Sequence, residues 1–186
     1  NRYPNATGAI LLHRLDMSTS GLLMFTLNPK ANKRMQRQFI KRQVQKTYIA
    51  DVKGVVANNH GIIDLPLAPD YYDLPRQMVC DKTGKASETH WSVITRSKST
   101  TRLALKPITG RTHQLRVHCA EALKCPIMGD GKYGGQAAHL EGFGNTLHLH
   151  ARALRLPHPE GGVLELAAPL PAHMKETFGL LGFDRP

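Results

Sequence analysis

Acidic residues and cysteines are scarce in this chain. Fourteen Asp and Glu stand against 25 Lys and Arg, a formal net charge of +11 over 186 residues. Such an excess of one sign favours a polyanionic partner. The three cysteines (Cys80, Cys119, Cys125) are odd in number and irregularly spaced. They form no disulfide framework and point to a reducing compartment, the cytoplasm. The longest apolar runs are four or five residues, Leu22–Phe25 among them, too short for a transmembrane helix and giving no reason to expect a membrane partner. Glycines are present, but none forms a phosphate loop of the Walker or dinucleotide type, so nucleotide-cofactor enzymes lose weight. The chain opens at Asn1 rather than Met, within a stretch (residues 1–5) that reads as a loop. A native amino-terminal portion is therefore expected upstream.

What is present is enough for a globular fold. Hydrophobic residues make up 41% of the chain, and at roughly 150 residues per domain residues 1–186 form a single domain. The charge is concentrated. Lys30, Lys33, Arg34, Arg37, Lys41, Arg42, Lys46 and Lys53 lie between Asn28 and Lys53, with Asp51 as the only acid. Asn28-Pro29 is a helix start, with Asn at the cap and Pro in the first turn. Helical spacing puts Ala31, Met35 and Phe39 on one face and Lys30, Lys33, Arg34, Arg37 and Lys41 on the other. A solvated face is the plain reading of such a stripe. The near absence of interleaved acid favours an electrostatic footprint for phosphates. The apolar face lacks the Trp and Leu of an interfacial membrane helix.

Along the chain, Ala9–Leu12 and Gly21–Leu27 read as strands either side of a polar loop. Val44–Lys53 reads as a strand with Val44, Tyr48, Ala50 and Val52 on one side. Residues 58–61 form a turn, and residues 64–86 a loop-rich excursion with two strand pieces. Glu88–Thr95 and Thr101–Leu105 pair across a polar turn. Thr112 caps a helix running to about Leu123. Residues 129–135 form a glycine-rich turn, Thr146–Leu156 and Val163–Ala167 a hairpin across residues 157–162, and Pro171 opens a closing helix. Many strands with few helices predict an α+β fold on a mixed, largely antiparallel sheet.

Two segments concentrate chemistry. His13-Arg14-Leu15-Asp16-Met17-Ser18-Thr19-Ser20-Gly21 holds an acid in a short loop, and Thr109-Gly110-Arg111-Thr112-His113-Gln114-Leu115-Arg116-Val117-His118 gathers two arginines and two histidines at a helix start. An Asp in a Ser/Thr loop is commonly just a turn residue; met by Arg, a carboxylate stays ionised. Ser18, Thr19 and Ser20 are expected to hydrogen-bond the loop. His113, His118, Cys119 and Cys125 fit no common zinc spacing. His148 and His150 are expected on opposite sides of their strand. A serine nucleophile lacks the Gly-x-Ser-x-Gly elbow.

Together these segments resemble the two signature motifs of the RluA-type pseudouridine synthases. Lys46-Thr47-Tyr48-Ile49-Ala50, Gly129-Asp130-Gly131-Lys132-Tyr133-Gly134 and His148-Leu149-His150-Ala151 are similar to further motifs of that family, in its order. Asp64-Leu65-Pro66-Leu67 and Gly84-Lys85-Ala86 are closest to its ribosomal large-subunit synthase A branch. The family's opening Lys-Pro-x-Gly strand is absent. The resemblance implies the pseudouridine synthase fold, its sheet split by a central catalytic cleft and flanked by a few helices. It implies isomerisation of uridine in ribosomal RNA, and in transfer RNA as a further substrate, by a monomer that needs no metal or organic cofactor. It makes Asp16 the catalytic aspartate, nucleophile or base, Arg116 its ion-pair partner and Tyr48 the tyrosine that stacks on the target base. Arg14 then fills the space of the flipped nucleotide. Lys30, Lys33, Arg34 and Arg37 contact RNA phosphates. Arg111 and His113 join the RNA-binding set, Arg111 suiting either a phosphate or a helix cap. Two rivals are a catalytically silent RNA-binding module on the same fold and a glycosidase-like hydrolase; the latter needs a second acid, which neither signature motif contains.

Overall fold

The computed structural model describes residue 4 and residues 6–139, 141–142, 144–158 and 161–183. Most of the opening loop at residues 1–5, and residues 159 and 160 of the expected hairpin turn, lie outside the described residues. In chain order the elements are β1 (Ile10–Leu11), β2 (Ser20–Gly21), β3 (Phe25–Thr26), α1 (Pro29–Ile40), β4 (Gln45–Lys53), β5 (His60–Asp64), β6 (Leu67–Pro69), β7 (Gln77–Val79), β8 (Glu88–Arg96), β9 (Thr100–Pro107), α2 (Gln114–Glu121), β10 (Leu149–Pro157), β11 (Val163–Ala167) and α3 (Ala172–Leu180). A short 3-10 turn covers Gly135–Ala138.

The main sheet has the order β11-β10-β4-β9-β8-β5, antiparallel throughout, with β2 added parallel to β10. It is the mixed, largely antiparallel sheet that the strand-rich pattern predicts. The excursion at residues 64–86 yields the β6–β7 hairpin.

Two apolar clusters share this sheet. The larger joins Ala50, Val52, Trp91, Leu103, Leu105 and Leu149 to Leu115 and Cys119 of α2. The smaller packs Met35 of α1 on Val44, Leu154 and Leu156, with Phe39 at its margin. Tyr48, Ala50 and Val52, alternate side chains of β4, all serve the larger core, and Val44 just before the strand serves the smaller one. Asn28 caps α1 by accepting the Ala31 N–H at 2.8 Å, and its basic side chains point to solvent. Asp51, counted above as a lone acid in a basic segment, is fully buried. It receives Nε and Nη2 of Arg102 at 2.6 and 2.8 Å, and Arg102 in turn donates to the Met174 carbonyl beneath α3.

Three expectations need correction. The predicted strand Gly21–Leu27 is two short pieces: Gly21, at φ +110°, is pressed on the Ala151 backbone, and the chain then turns away from β10 to meet β1. Thr112 does not cap α2. His113 occupies the cap in a left-handed conformation (φ 54°), and the Gln114 side chain accepts the Arg111 N–H instead. His148 and His150 do not face opposite sides of β10. Two residues apart on a strand they share a face, and burial depresses both, with His173 of α3 adding to the effect on each.

Candidate active site

The acid-bearing loop is held at both ends by backbone. Thr19 N–H closes a turn on the Asp16 carbonyl at 2.9 Å, and Leu22 N–H reaches the Ala151 carbonyl at 3.0 Å. Ser20 Oγ meets His150 Nδ1 at 2.9 Å, and His13 Nε2 accepts the Met24 N–H at 3.1 Å. Of the three hydroxyls expected to brace the loop, Ser20 does so; buried Thr19 Oγ1 has no hydrogen-bond partner, and Thr19 lines a cleft.

That cleft has a volume of about 270 Å³. Arg14, Asp16 and Thr19 form one wall with Phe39 of α1, residues 109–115 form the other, and Lys46 and Tyr48 of β4 lie between them. Its size is just under the range of roughly 300–1,000 Å³ usual for small-ligand pockets, so it suits one nucleoside rather than a stacked strand. Two segments about a hundred residues apart in sequence thus meet across the sheet.

Arg116 emerges from α2 behind Asp16. Its Nη1 stands 4.0 Å from Asp16 Oδ2. The Asp16 side chain keeps 18% of its surface exposed and so remains reachable from the cleft. The stronger bonds of Arg116 go elsewhere: Nε and Nη2 hold Asp130 Oδ2 and Oδ1 at 2.8 and 2.7 Å. Asp130, wholly buried, also accepts the N–H groups of Lys132 and Tyr133, both at 3.2 Å. The Tyr133 ring lies 5.0 Å from the guanidinium, and its hydroxyl meets His113 Nδ1 at 2.7 Å and accepts the Gln77 N–H. Although burial opposes it, the two acids hold the Arg116 guanidinium above its ordinary value.

The neighbouring groups are tuned by their surroundings. Burial, with the Asp16 charge adding to it, pushes the Tyr48 phenol up to about 12. Burial holds His113 below the ordinary imidazole value, with Asp16 opposing and Arg116 adding to the depression. Burial also lowers Lys46, which has no hydrogen bond or ion pair among the described residues; its ammonium lies 3.5 Å from where a side-chain carbon at Gly110 would stand. His13 stacks on Phe39 with ring centroids 5.5 Å apart, and burial and the Lys46 charge lower it.

Of the residues singled out from sequence, the cleft gathers Arg14, Asp16, Tyr48, Arg111 and His113, with Arg116 directly behind Asp16. Lys30, Lys33, Arg34 and Arg37 do not line it; they form an exposed stripe on the helix whose Phe39 does. Arg111 donates from Nε to the Ala86 carbonyl at 3.1 Å. Three contributors were not foreseen. Lys46 was read only as part of a strand motif and a charge stripe. Asp130 and Tyr133 stand in the sequence only as members of a family-like motif in a glycine-rich turn, with no role attached to either side chain. Among the described residues no three His, Cys, Asp or Glu side chains converge as metal ligands, and no helix is long and apolar enough to cross a membrane.

Residues 1–121 match the family model described as RNA pseudouridylate synthase. The chain is 45% identical over 163 residues to the dual-specificity RNA pseudouridine synthase RluA of Yersinia pestis, covering 87% of this chain and 76% of that protein. It is 42% identical over 161 residues to the protein of the same name from Escherichia coli (strain K12), covering 86% and 71%. Among solved structures, human RNA pseudouridylate synthase domain containing 4 superposes with a TM-score of 0.82 at 28% identity, covering 97% of this chain and 78% of that one. Human RNA pseudouridylate synthase domain containing 1 gives 0.77 at 32% identity, covering 90% and 70%.

Proposed function

This chain belongs to the RNA pseudouridylate synthase family, and from that premise we propose that it converts uridines of ribosomal RNA and transfer RNA to pseudouridine, with Asp16 as the catalytic residue. The observation that carries the reading is the convergence of Asp16 and Tyr48 on one nucleoside-sized cleft, with Arg116 directly behind Asp16. The printed description of the Yersinia and Escherichia relatives as dual-specificity enzymes supports two RNA substrates. Residues 1–186 act as one catalytic domain, a monomer in the cytoplasm.

The reaction breaks the bond from the ribose C1′ to N1 of uracil and forms one from C1′ to C5. A proton leaves C5 and one is gained at N1, so no group is lost and no electrons are exchanged. The protein must extrude the nucleotide, hold the freed base while it turns, and bring a carboxylate to the sugar. Extrusion costs a few kcal/mol. Arg14, exposed at the cleft wall, supplies a planar cation to occupy the vacated place in the RNA. Tyr48 offers its ring to the uracil, and its high phenol value keeps it a neutral hydrogen-bond donor at ordinary pH. Arg116, fixed by Asp130, holds Asp16 aimed at the cleft. Lys30, Lys33, Arg34 and Arg37, with Arg111 and His113 nearer the cleft, position the RNA through phosphates.

The test is Asp16→Asn, which keeps shape and removes charge. Incubated with ribosomal and transfer RNA transcripts and mapped by carbodiimide-blocked reverse transcription, wild type gives stops and the variant none, with RNA affinity within about twofold. Turnover by the variant would refute the assignment of Asp16, and release of free uracil by wild type would make the chain a hydrolase.

A further inference from the structure

A second groove, of about 670 Å³, adjoins the catalytic cleft, and Lys46 and Pro107 line both. Thr47, Lys106 and Ala153 line the second groove alone. Thr47 and Lys106 alternate along β4 and β9 with Tyr48 and Leu105, which belong to the cleft and main core, and Ala153 of β10 pairs with Thr47. The groove therefore lies on the reverse face of the sheet and meets the cleft around the sheet's end.

The charges in this groove do not cancel. Its acid Glu165 is held by Arg155 Nε at 2.7 Å, and Glu88 beside it is taken by His90 at 2.6 Å. Arg42, Lys46 and Lys106 make no ion pair among the described residues. Arg42 and Lys106 are exposed, whereas Lys46 is partly buried at the junction without a counter-charge. Three unmatched cations on a path continuous with a nucleotide-sized cleft call for a chain of phosphates.

We infer that the RNA strand flanking the extruded uridine passes around the end of the sheet, its phosphates held by Lys46 at the junction and by Lys106 and Arg42 in the groove behind. This rests on the reading of the chain as an enzyme acting on RNA, and assigns that RNA a second face of the protein. The cleft takes the reacting nucleotide, and the groove grips its neighbours without reading their bases.

The test compares wild type with the double variant Arg42→Gln/Lys106→Gln, both exposed positions. The probes are a fluorescein-labelled oligouridylate long enough to leave the cleft and uridine bisphosphate, which fills the cleft alone. Salt dependence for single strands is about 0.7 in log–log slope per phosphate contact, so two lost contacts flatten the oligouridylate slope by about 1.4. Uridine bisphosphate binding stays unchanged. An unaltered oligouridylate slope, or equal weakening of both ligands, overturns the inference. A second measurement needs no variant. Oligouridylate carrying 4-thiouridine, irradiated on wild type, should cross-link to the peptide containing residues 104–108; cross-links confined to the cleft walls and α1 overturn it. Pseudouridine formation by wild type is assayed separately. If it is absent while the slope change and cross-link persist, the activity reading fails and the groove stands.

Discussion

Replacing Asp130 by Asn changes one atom type in a residue that is sealed from solvent, yet it is expected to disable the enzyme. In the wild type the carboxylate receives two hydrogen bonds from Arg116 at 2.8 and 2.7 Å and two backbone N–H groups at 3.2 Å. Bonds to charged groups contribute roughly 1.5–3 kcal/mol each, and breaking a buried pair costs about 3–5 kcal/mol. Asn keeps one carbonyl acceptor, and Asp16 at 4.0 Å still offers the guanidinium a negative neighbour. The expected loss is therefore at the lower end, about 3 kcal/mol, within the roughly 5–15 kcal/mol that keeps a domain folded. Freed from Asp130, Arg116 swings toward Asp16 and the pair loses its aim. A misplacement of the order of 1 Å lowers kcat by roughly 100-fold, with little change in KM because RNA phosphates are bound elsewhere. Urea unfolding followed by the fluorescence of the sole tryptophan, Trp91, buried in the main core, gives the stability. Steady-state pseudouridine formation gives kcat. Wild-type values for both would refute the view that Asp130 sets the position of Arg116.

Gly21→Ala puts a methyl group 2.3 Å from the Ala151 carbonyl oxygen at φ +110°, where backbone cannot give way. A loss of at least about 2 kcal/mol, with activity, is expected on thermal unfolding. Gly179→Ala in α3, with open space around it, serves as control; equal behaviour of the two would show that the Gly21–Ala151 contact does not hold the loop. Acid should weaken the fold. Burial lowers His13, His113, His118, His148 and His150 from 6.5. Above 6.5 both folded and unfolded chains hold these rings neutral; below it the unfolded chain takes up protons first, so stability falls as pH drops toward the folded values. The urea midpoint at about pH 5.5 should lie below that at about pH 7.5, and His118→Gln should flatten the difference. Equal midpoints for wild type would contradict neutral burial of these rings.

Regular elements were legible where period and punctuation agree. Asn28-Pro29 before an apolar stripe marked α1, and alternation marked β4 and the β8–β9 pair. What escaped depends on contacts that sequence spacing does not encode. The parallel pairing of Ser20 and Gly21 with β10 is two residues long, too short for a period. Asp51 looked like a stray acid because its partner Arg102 lies on a neighbouring strand. The candidate site was legible as two motifs and a tyrosine, through resemblance to a family. The bond from Arg116 to Asp130 was not, because a guanidinium can serve two carboxylates and only folding shows which one it grips. The start of α2 was misread because the amide of Gln114, not the hydroxyl of Thr112, satisfies the free backbone there.

The uneven sharing of Arg116 has a consequence for turnover. Its tight tie runs into the interior, and its loose tie faces the substrate. The reactive acid can therefore change its bonding or its charge during a cycle while the cation behind it stays where it is. The scaffold carries the memory of the geometry, and the carboxylate returns to it after each round.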